Sequence, residues 1–151
     1  MASNIDAIIS AIVALNVQLS GSSVLVRSGT TLKDSEEISD LPTRIVSPVG
    51  MTSQRTRVQT LGGAGHVMST EWTITDTCLL RAVGMGLGLT DIATAYQAYM
   101  AAYIEQARQL SNQTCTLTLL TQRAQVVEFA VGSGRNYHAV ICTLTFVEIV
   151  Q

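Results

Sequence analysis

The chain has 151 residues, of which 47% are hydrophobic and 13% are charged, and its formal net charge is −2. The length suits one domain, residues 1–151, with a single hydrophobic core. The slight negative charge argues against a dedicated nucleic-acid binder, which normally has a clear basic excess. The charged share is about half of the usual one. It favours a surface partly buried against other subunits over a neutral surface rich in Ser, Thr, Gln and Asn.

The cysteines and the N-terminal segment bear on the compartment. Cys78, Cys115 and Cys142 are odd in number, far apart and set in apolar alternating segments. This pattern predicts buried thiols in a reducing compartment, with neither a disulfide framework nor a metal site. Residues 7–26 carry no charge, but polar residues interrupt them and Asp6 precedes them. We therefore expect no signal peptide, no membrane span and synthesis in the cytoplasm.

The N-terminal third predicts a helix, a polar connection and a short strand. Apolar residues at helical spacing predict a helix over residues 4–16. Residues 27–41 hold four of the eleven acids and few apolar groups, which predicts a solvated connection or a short edge strand. Pro42 and Pro48 bracket a short strand, which we therefore expect at a sheet edge or stopping sharply.

The middle of the chain predicts a long hairpin that returns as a long strand. Residues 51–70 are polar and glycine-rich between strand-like flanks, so we expect the hairpin tip near residues 55–65. The segment 67–83 then alternates, which predicts one buried face, with Asp76 interrupting it. The inward set is Trp72, Ile74, Cys78 and Leu80, and the outward set is Thr73, Thr75, Thr77 and Arg81.

A second helix is predicted from Thr90, as its N-terminal cap, to about residue 110, with Asp91 complementing the helix dipole. Its buried stripe has steps of three and four residues. The stripe consists of Ile92, Tyr96, Tyr99, Tyr103, Ala107 and Leu110. At this spacing, tyrosines are more typical of a half-buried core than of an exposed stacking platform.

Two closing strands complete the predicted fold. In the first, Cys115, Leu117 and Leu119 alternate with threonines. A turn at residues 131–136 precedes the last strand, whose two apolar faces are typical of a central or covered strand. The element order predicts an α+β fold: a mainly antiparallel β-sheet, two helices packed on one face and a long β-hairpin arm.

The glycine-rich segments do not match nucleotide-binding loops. Gly84, Gly86 and Gly88 precede a helix, but the third position of a dinucleotide fingerprint falls on Leu89 or Asp91. Residues 61–70 lack the Lys and the following helix of a P-loop. The two histidines have no local catalytic or zinc motif beside them. We therefore expect no catalytic residue, no cofactor and no metal.

Three charged residues remain as candidate partner or subunit contacts: Arg55, Arg57 and Asp76. The two arginines lie on the predicted hairpin, which is either an arm for a neighbour or an ordinary solvated loop. Asp76 is either a functional acid or ligand, or the ion-pair partner of Arg44, Arg81 or Arg123. We favour an ion pair at a subunit interface.

The order of features resembles the tail terminator proteins of long-tailed bacteriophages. The resemblance is carried by "NIDAIISAIVALN", "DLPTRIVSPVG", the hairpin returning through "EWTITDTCLLR", the helix "LTDIATAYQAYMAAYIEQAR" and the closing "NYHAVICTLTFVEI". It covers nearly the whole chain and is one of pattern and order, without a diagnostic motif.

The resemblance implies a non-enzymatic α+β subunit that forms a homohexameric ring. Such a ring caps the tail tube, ends its polymerisation and offers its other face to the head connector. The implied partners are further copies, the tail tube protein, the connector and DNA passing through the lumen without sequence recognition; the implied location is the virion, after assembly in the host cytoplasm. The alternatives are another neck or head-completion subunit and a small nucleotide-binding enzyme.

Overall fold

The computed structural model describes residues 5–28, 38–46, 55–60, 67–84, 88–110, 115–128 and 134–150. It confirms the α+β fold, with two helices and a mainly antiparallel sheet. The helices are α1 (Ile5–Val13) and α2 (Leu89–Ala107), and residues Ile38–Asp40 form one turn of 3-10 helix. The strands are β1 (Gln18–Leu19), β2 (Ser22–Ser23), β3 (Leu25–Ser28), β4 (Thr43–Val46), β5 (Arg55–Thr60), β6 (Val67–Ala82), β7 (Cys115–Glu128) and β8 (Asn136–Val150).

The main sheet has six strands in the order β3-β4-β6-β8-β7, with β5 pairing β6 beyond the end of β4. Neighbours are antiparallel except for β3 and β4, which run parallel. The last strand is central, as its two apolar faces predict, because β8 pairs with both β6 and β7. The strands β1 and β2 form a separate small hairpin that the sequence pattern did not indicate.

Both helices pack on one face of the sheet, which we call the helix face and define by Ile74, Cys78, Val140 and Leu144. Ile8 and Ile12 of α1 and Tyr99 and Tyr103 of α2 are buried in the same core cluster. The opposite face, which we call the open face, carries a smaller buried cluster. That cluster consists of Ile45, Leu79, Tyr137 and Ala139. The rest of the open face is rich in threonine, and Thr121 and Leu119 are exposed there.

The predicted stripe of α2 is confirmed, but its predicted cap is wrong. Ile92, Tyr99 and Tyr103 are buried, and Tyr96 is half-buried. The helix begins at Leu89, so Thr90 lies inside it, and the cap residue is Gly88 in an extended conformation without a side-chain cap. Helix α1 is confirmed within shorter bounds than predicted.

Two strand predictions need correction. Of the two alternatives for the strand between the prolines, the edge position is wrong, because β3 pairs with the other side of β4, which is short at four residues. For the segment 27–41, the sequence predicted a solvated connection or a short edge strand. Its first residues belong to β3, which lies at the end of the described strand order. The hairpin of β5 and β6 is confirmed, but Arg55 and Arg57 lie on the paired strand β5 and not at a tip, and residues 61–65 of the predicted tip lie outside the described residues.

Two irregularities in pairing change which side chains share a face. A register shift between Leu117 and Leu119 turns Leu119 to the open face, where it is 55% exposed. The predicted alternation placed Leu119 with Cys115, which is buried. A second shift after Leu79 sets Arg81 opposite His138, so Arg81 leaves the threonine face to which alternation assigned it. Bulges of this kind are not visible in a period-two pattern.

Candidate functional site

Asp76 lies at the centre of a buried polar cluster formed by three elements. Its Oδ2 accepts hydrogen bonds from Arg44 on β4, with Nε at 3.1 Å and Nη2 at 2.5 Å, and from the Tyr103 hydroxyl of α2 at 2.9 Å. The side chains of Arg44 and Asp76 are both 0% exposed. The register places these residues close together, since Asp76 pairs with Val46 and Arg44 with the nearby Cys78.

Arg44 also holds the end of α1. Its Nη1 donates to the carbonyl of Leu15 and its Nη2 to the carbonyl of Ile12, both at 2.8 Å. The last carbonyls of a helix have no partners within the helix and carry partial negative charge, so a cation is favourable there. The guanidinium carbon also lies 5.4 Å from the centre of the Tyr103 ring, a cation–π distance. One arginine thus joins α1, the sheet and α2.

Burial and charge act against each other in this cluster. Burial disfavours the charged form of Arg44, but the adjacent Asp76 carboxylate holds the pKa of Arg44 above its ordinary value. Burial raises the pKa of Asp76, and Arg44 and the Tyr103 hydroxyl oppose that rise. Burial likewise raises the pKa of Tyr99 and Tyr103 well above its ordinary value. Because the side chains of Arg44 and Asp76 are inaccessible to solvent and are bonded within the chain, the cluster is suited to positioning elements of the fold rather than to binding a substrate.

The three candidate contact residues, Arg55, Arg57 and Asp76, do not lie together in the structure. Asp76 does pair with an arginine, and Arg44 was one of the three candidates, but the pair lies inside the chain and not at a subunit interface. Arg55 and Arg57 are opposite Trp72 and Thr70 in the β5–β6 register, several residues along β6 from Asp76. The three candidate residues therefore do not form one site. The acid within an apolar face indicated a buried pair, but it did not identify the partner.

Two further polar contacts attach the helix face to α2, and a third joins β6 to β8. Gln122 Nε2 on β7 donates to the Met100 carbonyl of α2 at 3.2 Å. The Tyr96 hydroxyl lies 3.2 Å from Nδ1 of His138 on β8. Trp72 Nε1 donates to Glu148, which is only 2% exposed, at 2.9 Å. With the bond from Tyr103 to Asp76, helix α2 is thereby hydrogen-bonded to β6, β7 and β8.

The cysteines are buried free thiols, as the sequence predicts. Burial raises the pKa of Cys142 to about 12 and that of Cys78 well above its ordinary value. Since the thiolate is the reactive form, these two side chains are poorly suited to nucleophilic chemistry. Among the described residues, no group of His, Cys, Asp and Glu could hold a metal ion. No helix in this part of the chain is both long and apolar enough to cross a membrane.

One cavity of about 350 Å³ lies between the β1–β2 hairpin and the first half of α2. Its walls combine apolar groups such as Leu80 and Ala95 with the hydroxyls of Ser22 and Thr94. The glycine-rich turn before α2 is described only in part, because residues 85–87 lie outside the described residues. Gly84 has a φ of +94°, a conformation that favours glycine. The turn prediction is confirmed at Gly84.

The strand β7 forms one edge of the described sheet for 14 residues. Its exposed apolar side chains are Leu119 at 55% and Val126 at 53%. At the opposite edge, the four-residue strand β3 exposes Leu25 at 40%. An edge strand is a template for another strand, so β3 and β7, at the two ends of the described strand order, are suited to pairing with a partner chain.

Comparison with known proteins identifies no family: no protein-family model matches the chain, and no curated protein matches it.

The buried pair predicts a large loss of stability from single substitutions. Asp76→Leu leaves Arg44 as an unpaired buried cation, so we expect a loss of about 3–5 kcal/mol in the free energy of unfolding. Tyr103→Phe removes one hydrogen bond to a buried carboxylate and should cost about 1.5–3 kcal/mol. Urea unfolding followed by circular dichroism measures both. The double variant Arg44→Met/Asp76→Leu should lose less than Asp76→Leu alone; a larger loss, or a cost below about 1 kcal/mol for Asp76→Leu, would contradict this role.

The buried acidic groups predict loss of stability in alkali. Cys78, Cys142, Tyr99 and Tyr103 keep their protons in the folded state above the ordinary values of 9.0 and 10.0. The unfolded chain releases these protons from about pH 9 upward, so the free energy of unfolding is unaffected by them below that pH and falls above it. Urea unfolding at stepwise higher pH measures the slope. The variant Cys142→Ala should have a shallower slope, and equal stability at about pH 8 and 10 would contradict the prediction.

Proposed function

We propose that the chain is a structural subunit of the tail–neck region of a long-tailed bacteriophage. Copies of it form a ring that caps the tail tube, ends its polymerisation and joins the tube to the head connector. Six copies are the number that the family resemblance implies. The protein then acts in the virion, after assembly in the host cytoplasm.

The observation that carries this proposal is the pair of sheet edges. The β7 edge runs for 14 residues and contains two charged residues, Arg123 and Glu128, and no proline. Monomeric proteins usually protect such an edge with charges, prolines or a covering segment. With only 13% charged residues in the chain, assembly with further copies accounts for both the edge and the composition.

The hairpin of β5 and β6 supports a contact outside the subunit. Strand β5 pairs only with β6 among the described strands, and the same part of β6, Met68–Trp72, pairs on its other side with β8, so β5 lies at an edge of the main sheet. Arg55 and Arg57 give it two positive charges. We assign it to contact with the tube or a neighbouring subunit. Arginines that face a ring lumen would also tolerate passing DNA through phosphate contacts without sequence recognition.

The proposal includes no catalytic residue, cofactor or metal. Asp76, the acid inside the apolar face, is bonded to Arg44 and Tyr103 and is 0% exposed. His138 is bonded to Tyr96. These side chains are used to join elements of the fold, which supports a structural function over an enzymatic one.

The direct test is arrest of tube growth. Purified protein is added to polymerising tube protein of the phage that encodes it, and tube lengths are measured by electron microscopy. A terminator shortens the tubes and is found at one tube end. Unchanged tubes with binding to head connectors would identify another neck or head-completion subunit instead. Unchanged tubes with a rise in melting temperature on addition of a nucleotide would favour a nucleotide-binding enzyme.

The hairpin arm gives a mutational prediction. Arg55→Ala with Arg57→Ala should leave the fold and melting temperature unchanged but weaken tail joining, because two charges of the proposed contact are removed. The matched control, Arg81→Ala with Arg108→Ala, removes two charges from exposed positions away from the arm. Complementation of a phage that lacks the gene measures infectious particles. Normal yield from the arm variant would refute this assignment.

A further inference from the structure

The two edges of the main sheet have matching directions. Strands β4 and β8 both run antiparallel to β6, β7 runs antiparallel to β8, and β3 runs parallel to β4. It follows that β3 and β7 run in opposite directions. A second copy in the same orientation can therefore set its β3 against β7 of the first, and the pairing is antiparallel. Such a contact uses two different surfaces, and it closes into a ring when the rotation between copies allows.

The apolar side chains at the two edges also match. In the sheet, Val26 is opposite Arg44 on the helix face, and Val126 is opposite His138 on the same face. Directly opposite residues of an antiparallel pair share a face. Pairing Val26 of one copy with Val126 of the next therefore preserves both faces. It also sets Leu25, which is 40% exposed, opposite Val127 on the open face.

Charges disfavour one of the two neighbouring registers. With Val26 opposite Val126, Arg27 faces the neutral Gln125. A shift by two residues would set Arg27 directly opposite Arg123, and like charges in that position are destabilising. Arg123 makes no ion pair with the described residues. Arg27 is itself paired at 3.2 Å with Asp40, which precedes β4 and whose side chain is 29% exposed.

The other strand with a suitable direction is β5, which runs antiparallel to β6 and hence to β7. Its sequence, Arg-Thr-Arg-Val-Gln-Thr, contains one apolar residue, Val58. It therefore offers a poorer match to the exposed Val126 than β3, which contains Leu25 and Val26. Pairing of β7 with a second β7 has no ring geometry, because it gives a closed two-fold dimer.

We propose that β7 of one copy pairs antiparallel with β3 of the next copy, with Val126 opposite Val26, so that the sheet continues from subunit to subunit. This interface deepens the ring of the proposed function and rests on it for closure of the ring. The partner is a second copy of this chain, and the contact consists of backbone hydrogen bonds flanked by apolar side chains on both faces.

Cysteine cross-linking tests the register directly. In one chain, Val26 and Val126 lie at opposite edges, four strand spacings or about 19 Å apart, too far for a disulfide. The variant Val26→Cys/Val126→Cys should therefore cross-link only between copies. Under mild oxidation, we expect a ladder of disulfide-linked oligomers on a non-reducing gel, with the disulfide between positions 26 and 126 identified by mass spectrometry. The native cysteines Cys78, Cys115 and Cys142 are buried and serve as internal controls.

Matched variants make each outcome decisive. Val26→Cys/Ile104→Cys pairs the same strand with a helix position that is 46% exposed and should give no ladder. A ladder from Val58→Cys/Val126→Cys, or dimers alone from Val126→Cys, would overturn the β3–β7 interface in favour of β5 or of a two-fold dimer. Absence of the disulfide between positions 26 and 126, in a variant whose circular dichroism and melting match the parent chain, would also overturn it.

The same samples distinguish a failure of this interface from a failure of the proposed function. Rings that cap tubes without the disulfide between positions 26 and 126 would leave the function standing and refute the interface. Linked oligomers that neither close into rings nor shorten tubes would support the interface and refute the function.

Discussion

The fold depends on the buried contact between Arg44 and Asp76. Arg44 extends from β4 across the sheet to Asp76 on β6 and to the carbonyls of Ile12 and Leu15 at the end of α1, while Tyr103 of α2 donates to the same carboxylate. Two charges taken out of water are tolerated only when their geometry and further hydrogen bonds compensate. The cluster provides such bonds to Asp76 Oδ2, at the point where both helices and the sheet converge, whereas the buried Oδ1 has no hydrogen-bond partner among the described residues.

Fixing both helices to one face has a consequence for the remaining surface. The helix face is covered, and the open face is buried around Leu79 and Tyr137 but exposed around Leu119 and Thr121, next to the β7 edge. The chain lacks the charge density with which monomers usually protect such surfaces, at 13% against about 25%. A subunit that completes its sheet with neighbours resolves both features. On this account, the interior holds the subunit rigid, and its edges carry the function.

The sequence predicted regular features well because they follow simple periods. The stripe of Ile92, Tyr99 and Tyr103 and the alternation around Ile74 and Cys78 identified the buried faces of α2 and β6. The sequence could not identify which arginine pairs with Asp76, because three arginines were equally compatible. Only the register of β4 on β6 selects Arg44. The side of Leu119 and Arg81 was assigned wrongly because local register shifts carry no period. The cap at Gly88 was missed because Thr90 is the commoner type of cap residue.

The central claim is that this chain assembles with copies of itself into a closed ring. The most direct measurement is the mass of the purified protein in solution, taken over a range of concentrations, together with electron micrographs of the same sample. The account predicts a single closed oligomer, about six copies by the family resemblance, seen as rings with a central hole. A protein that remains monomeric up to its solubility limit, and that does not form rings on tail tubes either, would contradict it.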